Sequence, residues 1–168
     1  MIFDLRAFLA VLMLLGAPAQ TLAQGAQVAF GGLKQDPTLP VEVTADQLRV
    51  NQADGTAIFT GNVVVGQGQM RLSADRVQVE YAAQNSKATG HISRLRAEGN
   101  VVLVSGAEAA EAQTAIYTID SGNVVMTGNV VLTQGENALS SQRMVVDLTS
   151  GVATMEGRVK SILKTGGN

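Results

Sequence analysis

The sequence lacks the residues from which most catalytic and metal centres are built. It contains no cysteine and no tryptophan, and one histidine among 168 residues. Without cysteine, neither a disulfide framework nor a thiolate metal site can form. With His91 as the single histidine, a metal centre would depend on carboxylates, and a Ser-His-Asp triad would have one possible base. The sequence therefore predicts a protein that is not an enzyme and that carries no cofactor and no metal.

Motif searches add nothing to the catalytic case. No Gly-x-Ser-x-Gly nucleophile motif occurs in the sequence. Gly66-Gln67-Gly68 lacks the spacing and the following helix of a phosphate loop, so it predicts a turn. The formal net charge of −2 also argues against nucleic-acid binding, which requires a basic surface.

The first 23 residues have the order of a secretory signal peptide. Arg6 precedes an apolar run at 7–15, Pro18 ends that run, and small residues lead to Ala23. The run is too short to span a bilayer, which takes about 20 apolar residues. We expect cleavage after Ala23, with Ala19 as the alternative site and a retained anchor as the competing interpretation. Cleavage predicts an exported protein, and the family resemblance described below implies the periplasm as its location.

The rest of the chain divides into three parts. Residues 24–39 are rich in Gln and Gly and contain Pro37, which predicts a poorly ordered, flexible leader. Residues 40–164 form the single folded domain, and residues 165–168 form a short tail.

A repeat runs through the domain. Four similar segments are marked by Asp46, Asp75, Gln113 and Gln142, and a glycine follows each marker 15 residues later. The first two markers lie 29 residues apart, as do the last two, whereas the middle step is 38. Because Gly90-His91-Ile92 resembles Gly99-Asn100-Val101 nine residues later, the extra nine residues are interpreted as one added strand.

Apolar residues alternate with polar residues inside each unit, as in Val77, Val79 and Tyr81 with Gln78 and Glu80 between them. This period of two is typical of half-buried strands. Hydrophobic residues make up 46% of the chain but aromatics only 4%, so the buried face is aliphatic. The sequence predicts an all-β protein whose stacked units share one apolar lining.

Asp46 and Asp75 could be proposed as a pair of catalytic carboxylates. However, they recur at equivalent places in the repeat, where Gln113 and Gln142 replace them. A position that accepts either residue type is typical of a structural hydrogen-bonding role. We therefore expect these residues to belong to the scaffold.

Basic residues concentrate around the insertion, at Lys87, His91, Arg94 and Arg96. Two interpretations are open. The cluster could be a solvated face, or Lys87, Arg94 and Arg96 could contact phosphate groups of an amphipathic ligand through charge-assisted hydrogen bonds.

The ordered set of segments resembles the OstA-like family. The resemblance is carried by three early segments and two later ones, and it extends from about Pro40 to Lys164. These segments are Pro40 to Asp46, Phe59 to Val65, Leu72 to Val77, Thr127 to Leu132 and Ser141 to Met144.

The resemblance implies a twisted β-jellyroll, open at both ends, whose interior shields the acyl chains of lipopolysaccharide. It implies that Val41, Val43, Leu95, Tyr117 and Ile119 meet the lipid. The other predicted lining residues are Ile58, Val63, Val65, Leu72, Val77, Val79, Val101, Leu103, Val130, Leu132, Met144 and Val146.

The resemblance also implies a bridge between membranes. An LptC-like inner-membrane protein would dock at the N-terminal edge, an LptD-like outer-membrane protein at the C-terminal edge, and copies could stack head to tail. Independently, an unclosed sheet leaves unpaired backbone at its terminal strands, here Val41 to Val50 and Val159 to Lys164. Two alternatives remain: a self-polymerising β-solenoid without lipid cargo, and an LptC-like component.

Overall fold

A computed structural model describes residues 26–29, 33–84 and 87–164. The predicted signal peptide and the tail at 165–168 lie outside these residues. Over the described part the protein is built from β-strands, which confirms the all-β prediction. Within the same ranges, no helix has both the length and the apolar character needed to cross a membrane.

The strands form one antiparallel sheet that is mainly a meander. Neighbouring strands follow in the order β1-β10-β9-β8-β7-β6-β5-β4-β2, with β3 also on β4 and β11 also on β9. The strands are β1 Ala26–Ala29, β2 Glu42–Thr44, β3 Gln47–Asn51, β4 Thr56–Gln67, β5 Met70–Gln84, β6 Lys87–Ser105, β7 Glu108–Thr118, β8 Asn123–Gln134, β9 Asn137–Asp147, β10 Val152–Glu156 and β11 Lys160–Ile162.

Each long strand turns a corner near its middle. The pairing register shifts there, for example between Thr60 and Val63 and between Thr127 and Val130. The corners are Gly-Asn steps in which both residues have positive φ, such as Gly61 (80°) and Asn62 (46°). Glycine adopts this conformation freely and asparagine tolerates it, so the repeated Gly-Asn dipeptide bends the sheet at the same place in the alternate strands β4, β6 and β8.

The repeat markers lie directly against these corners. A Cβ added to Gly61 would stand 2.5 Å from Oδ2 of Asp46, and Asn62 Nδ2 donates a hydrogen bond to the same oxygen at 2.9 Å. Gln113 has the equivalent place over Gly128. The markers thus fill the space that a glycine leaves open, as expected for scaffold residues.

The interpretation of the nine-residue insertion is wrong in one respect. Asp75 packs against Gly99, not Gly90, and Asn100 donates to its carboxylate at 2.8 Å. A Cβ placed at Gly90 would meet no described atom within 4 Å. The insertion therefore adds no strand; it lengthens the β5–β6 hairpin, whose strands have 15 and 19 residues.

The described parts of the predicted leader, residues 26–29 and 33–39, contact the sheet. Residues 26–29 pair with β10 as an antiparallel strand, and the side chain of Leu33 is 0% exposed. Asp36 accepts hydrogen bonds from the backbone and hydroxyl of Thr38 at 2.9 and 2.6 Å. In the described parts of the predicted leader, Leu33 thus packs into the core and residues 26–29 pair with the edge strand β10.

Candidate functional site

The candidate site is the apolar groove enclosed by the bent sheet. A single sheet can bury one of its faces fully only by folding over on itself, and the corners make that fold. Two contacts join the halves: Tyr117 Oη donates to Gln67 Oε1 at 2.8 Å, and the leader contacts both rims. Gln67 lies next to the β4–β5 turn and Tyr117 near the opposite end of β7.

Most residues predicted to line the groove face its interior. Val41 and Val43 are partly buried and pack against the core at its N-terminal end. Fourteen others are buried: Val63, Val65, Leu72, Val77, Val79, Leu95, Val101, Leu103, Tyr117, Ile119, Val130, Leu132, Met144 and Val146.

Ile58 is the exception. Its chain neighbour Ala57 is buried, and successive side chains of a strand point to opposite faces, so Ile58 faces outward. There it borders a surface depression with Arg49 and Arg76. Ile58 is therefore corrected to the outer face, because Ala57 has the inward position.

Sequence reasoning missed several residues of the interior. Val124 and Met155 are fully buried, and the alternation of Val124 with Met126 and of Met155 with Ala153 is the signal that could have found them. Leu33 has no such signal, since it is an isolated apolar residue in the leader.

The groove is closed in this structure. The apolar space beneath Tyr117, bordered by Met70, Leu95 and Val124, has a volume of about 10 Å³, which is about the room that one water molecule needs. An acyl chain can enter only if the two halves of the sheet separate or the side chains rearrange.

Residues 33–39, which we call the strap, lie across the mouth of the groove. Gln35 N donates to the Leu148 carbonyl at 2.8 Å, and Gln35 Nε2 donates to Ser105 Oγ at 3.0 Å. Leu148 and Ser105 belong to opposite rims of the sheet. One residue thus connects the two halves, and the strap holds the groove closed.

Tyr117 is the titratable group inside the groove whose pKa is displaced. Burial raises the pKa of the Tyr117 hydroxyl, and the hydrogen bond with Gln67 lowers it by a smaller amount. The phenol therefore stays protonated at neutral pH and acts as a hydrogen-bond donor.

Two of the three predicted phosphate contacts, Arg94 and Arg96, lie outside the groove. Arg94 and Arg96 flank the buried Leu95 on β6 and so point to the outer face. Arg94 forms an ion pair with Glu80 at 3.5 Å, and His91 contacts Asp120 at 3.0 Å. The side chain of Lys87 is outside the described part. This placement favours a solvated face.

The described residues contain no group of three or more metal-ligating side chains close enough to hold an ion. The arrangement of the groove is instead suited to non-covalent binding of apolar chains.

Both ends of the sheet carry exposed apolar side chains. At the N-terminal end, Leu48 and Val50 on β3 are 56% and 60% exposed, although they pair with Phe59 and Ala57 on the inward face. At the C-terminal end, Ile162 on β11 is 60% exposed. In the strand order, β1 is terminal at one end and β2 at the other, so both edges have backbone available for pairing.

Comparison with known proteins gives one family match and several relatives. Residues 42–152 match the family described as LptA/(LptD N-terminal domain) LPS transport protein. An uncharacterised protein of Rhizobium meliloti (strain 1021) is 32% identical over 108 residues, which cover 62% of this chain and 58% of that protein. The LPS-assembly protein LptD of Haemophilus ducreyi is 31% identical over 71 residues, 42% of this chain and 9% of that protein.

A solved structure has the same fold. It is LptH of Pseudomonas aeruginosa, the LptA homologous periplasmic component of the lipopolysaccharide transport device, with a TM-score of 0.67 and 18% identity over 78% of this chain and 99% of that chain. The matched part thus spans just over half of the Rhizobium relative and a small part of LptD. The family match begins at the first residue of β2 and ends at the first residue of β10.

Proposed function

The chain belongs to the LptA/LptD N-terminal domain family of lipopolysaccharide transport proteins, and from that membership we propose that it is a periplasmic carrier of lipopolysaccharide. In this proposal the acyl chains occupy the apolar groove, and the protein links transport components of the inner and outer membranes. It performs no chemistry and needs no cofactor, since movement of the lipid is driven elsewhere in the machinery.

The observation that carries the proposal is the continuous aliphatic interior. Most inward positions of β4 to β10 are occupied by Val, Leu, Met, Ala and Ile, and almost all of these are buried. Acyl chains bind such a surface through the hydrophobic effect, at roughly 0.8 kcal/mol for each buried CH₂. Met126, Met144 and Met155 lie in the same interior, and their flexible side chains adapt to ligands of variable shape.

Lipid entry requires the groove to open. The strap bonds to both rims, so its release would remove one of the contacts between the two halves of the sheet without breaking the ladder between neighbouring strands, and opening would further require the Tyr117–Gln67 hydrogen bond to break. The strap therefore has the position of a gate.

Photo-crosslinking at neighbouring residues tests the groove. A photoreactive residue at Leu95 faces the interior, whereas one at Arg96 faces outward on the same strand. We expect lipopolysaccharide to be captured at Leu95 and not at Arg96. A second inward position, Val43, has Glu80 as its outward control.

The outcomes separate the hypotheses. Capture at Arg96 and Glu80 without capture at Leu95 and Val43 contradicts the groove. Absence of capture at all four positions, in a protein that assembles with itself, favours the self-polymerising scaffold.

The edges are proposed to bind the partners. An LptC-like protein would add a strand beside β2 and β3, and an LptD-like protein, or another copy of this chain, would pair at the C-terminal end. The exposed Leu48 and Val50 would then continue the apolar lining into the neighbouring molecule. Edge-strand addition of this kind uses main-chain hydrogen bonds for affinity and side chains for specificity.

Introducing charged residues on the edge strand β3 tests whether a partner docks there. Replacing Leu48 and Val50 by lysine leaves the buried core intact but places two charges where a partner strand would pack. We expect that this double variant no longer captures the LptC-like protein of the same cell. The control is Val104→Lys on the outer face of β6, where 39% of the side chain is exposed; equal loss with both variants would refute edge docking.

A further inference from the structure

One rim of the groove is polar although its interior is aliphatic. The inward positions beside the β4–β5, β6–β7 and β8–β9 turns are polar in five of six cases, Met70 being the exception. We call these five residues the polar rim: Gln67, Ser105, Glu108, Gln134 and Asn137.

The opposite rim differs. Its inward positions include Ile119, Val124 and Leu148, all buried and apolar. The groove is therefore amphipathic along the strand direction, with polar side chains at one end of each strand and aliphatic side chains over the rest.

Glu108 is unusual within the polar rim. It is 5% exposed, and its Oε1 accepts a hydrogen bond from Gln134 Nε2 at 2.8 Å. Its Oε2 is buried and has no hydrogen-bond partner among the described residues. A buried acceptor without a donor is costly and rare in folded proteins, so the position is suited to a donor supplied by a ligand.

The strap occupies another part of the polar rim with its own polar groups. Gln67 Nε2 donates to the carbonyls of Pro37 and Leu39 at 3.1 and 2.8 Å. Gln35 supplies a side-chain amide to Ser105. Amide carbonyls and N–H groups of this kind are also what an acylated amino sugar presents beside its acyl chains.

We propose that the polar rim binds the hydroxyl and amide groups of the ligand's sugar head while its acyl chains fill the aliphatic interior. This inference rests on the proposed function. Oε2 of Glu108 accepts from O–H and N–H donors, which sugar hydroxyl and amide groups supply and ionised phosphate groups do not. The strap holds the same polar groups in the closed state, and the ligand head replaces it when the groove opens.

Two probes separate head recognition from acyl binding. Lipid A carries sugar hydroxyl and amide groups next to its acyl chains, whereas a free fatty acid of the same chain length carries no sugar. Affinities of the purified protein for both are measured by calorimetry. Glu108→Leu is expected to weaken lipid A binding about tenfold, the loss of a charge-assisted hydrogen bond, and to leave fatty acid binding within about twofold.

Glu111→Leu is the matched control, since Glu111 lies on the same strand but is exposed on the outer face; it should change neither affinity. Glu108→Gln, which keeps the size of the side chain, replaces Glu108→Leu if circular dichroism shows that the leucine variant is unfolded. It should weaken lipid A binding severalfold.

The results distinguish failure of head recognition at the polar rim from failure of the proposed carrier function. If Glu108 variants affect both probes equally, or neither, head recognition at the rim is wrong while the groove stands. If the unmodified protein binds neither probe, the carrier function fails, and the polar rim fails with it.

Discussion

Truncation of Leu33 to alanine is expected to destabilise the protein by about 2–3 kcal/mol, although this residue lies in a leader that the sequence predicts to be flexible. The side chain is 0% exposed. In other proteins, truncation of such a buried leucine to alanine destabilises the fold by about 2–5 kcal/mol. The lower part of that range applies because the strap is a single segment that can move into the space left behind.

The effect is large compared with the total stability of a domain, about 5–15 kcal/mol. At roughly 3 °C for each kcal/mol in a domain of this size, the midpoint of thermal unfolding should fall by about 6–9 °C. Urea unfolding followed by circular dichroism measures the free energy directly. Hydrogen exchange gives a local measure, because the Gln35 amide is bonded to the Leu148 carbonyl and should lose its protection.

The control is Leu163→Ala, since 62% of Leu163 is exposed and its truncation should change stability by less than about 0.5 kcal/mol. If Leu33→Ala has an equally small effect and the Gln35 amide exchanges freely in the unmodified protein, the strap is not packed as described, and its role as a gate is refuted.

Three further predictions follow from the corners, the groove and a turn. Gly128→Ala should destabilise by more than Gly135→Ala, because both glycines have positive φ but only at Gly128 would a Cβ meet a neighbouring side chain, at 2.5 Å; equal losses of thermal stability would contradict the close packing. Tyr117→Phe should cost about 1–3 kcal/mol in urea unfolding, because Gln67 Oε1 loses a buried donor, and an unchanged midpoint would argue against the bond. Backbone hydrogen bonds from the turn after β9 lower the pKa of Asp147 below its ordinary value of 3.8. The ionised Asp147 therefore stabilises the folded protein fully at pH values above 3.8, and this stabilisation is lost as the pH falls through the lower pKa of the folded state. Asp147→Asn should therefore flatten the dependence of the free energy of unfolding on pH in that acidic range. An unaltered pH dependence would refute this role of Asp147.

The sequence predicts the strands and their inward faces well where alternation is strict. Val77 and Val79 are flanked by polar residues, so their burial follows from the period of two. The pattern fails at Ala57-Ile58-Phe59, where three apolar residues in a row conceal the period. There the small Ala57 is inward and the larger Ile58 is outward, which hydrophobicity alone does not indicate.

The position of the insertion could not be predicted from glycines alone. Gly90 and Gly99 both have positive φ, but the conformation of one residue does not identify its neighbour across the sheet. The Asn100 side chain that reaches Asp75 is the distinguishing feature, since His91 follows Gly90 instead. The order in the leader was also hidden, because the burial of Leu33 depends on contacts distant in sequence.

The corners have a consequence for the size of such proteins. Every 29-residue step contributes two strands that bend at the same place, and neighbouring strands lie about 4.8 Å apart. A duplicated unit would therefore extend the molecule by about 10 Å while its cross-section stayed constant. Length can thus evolve separately from the lining of each unit in this fold, because the number of units sets the distance spanned and the inward residues of one unit set the chemistry of its interior.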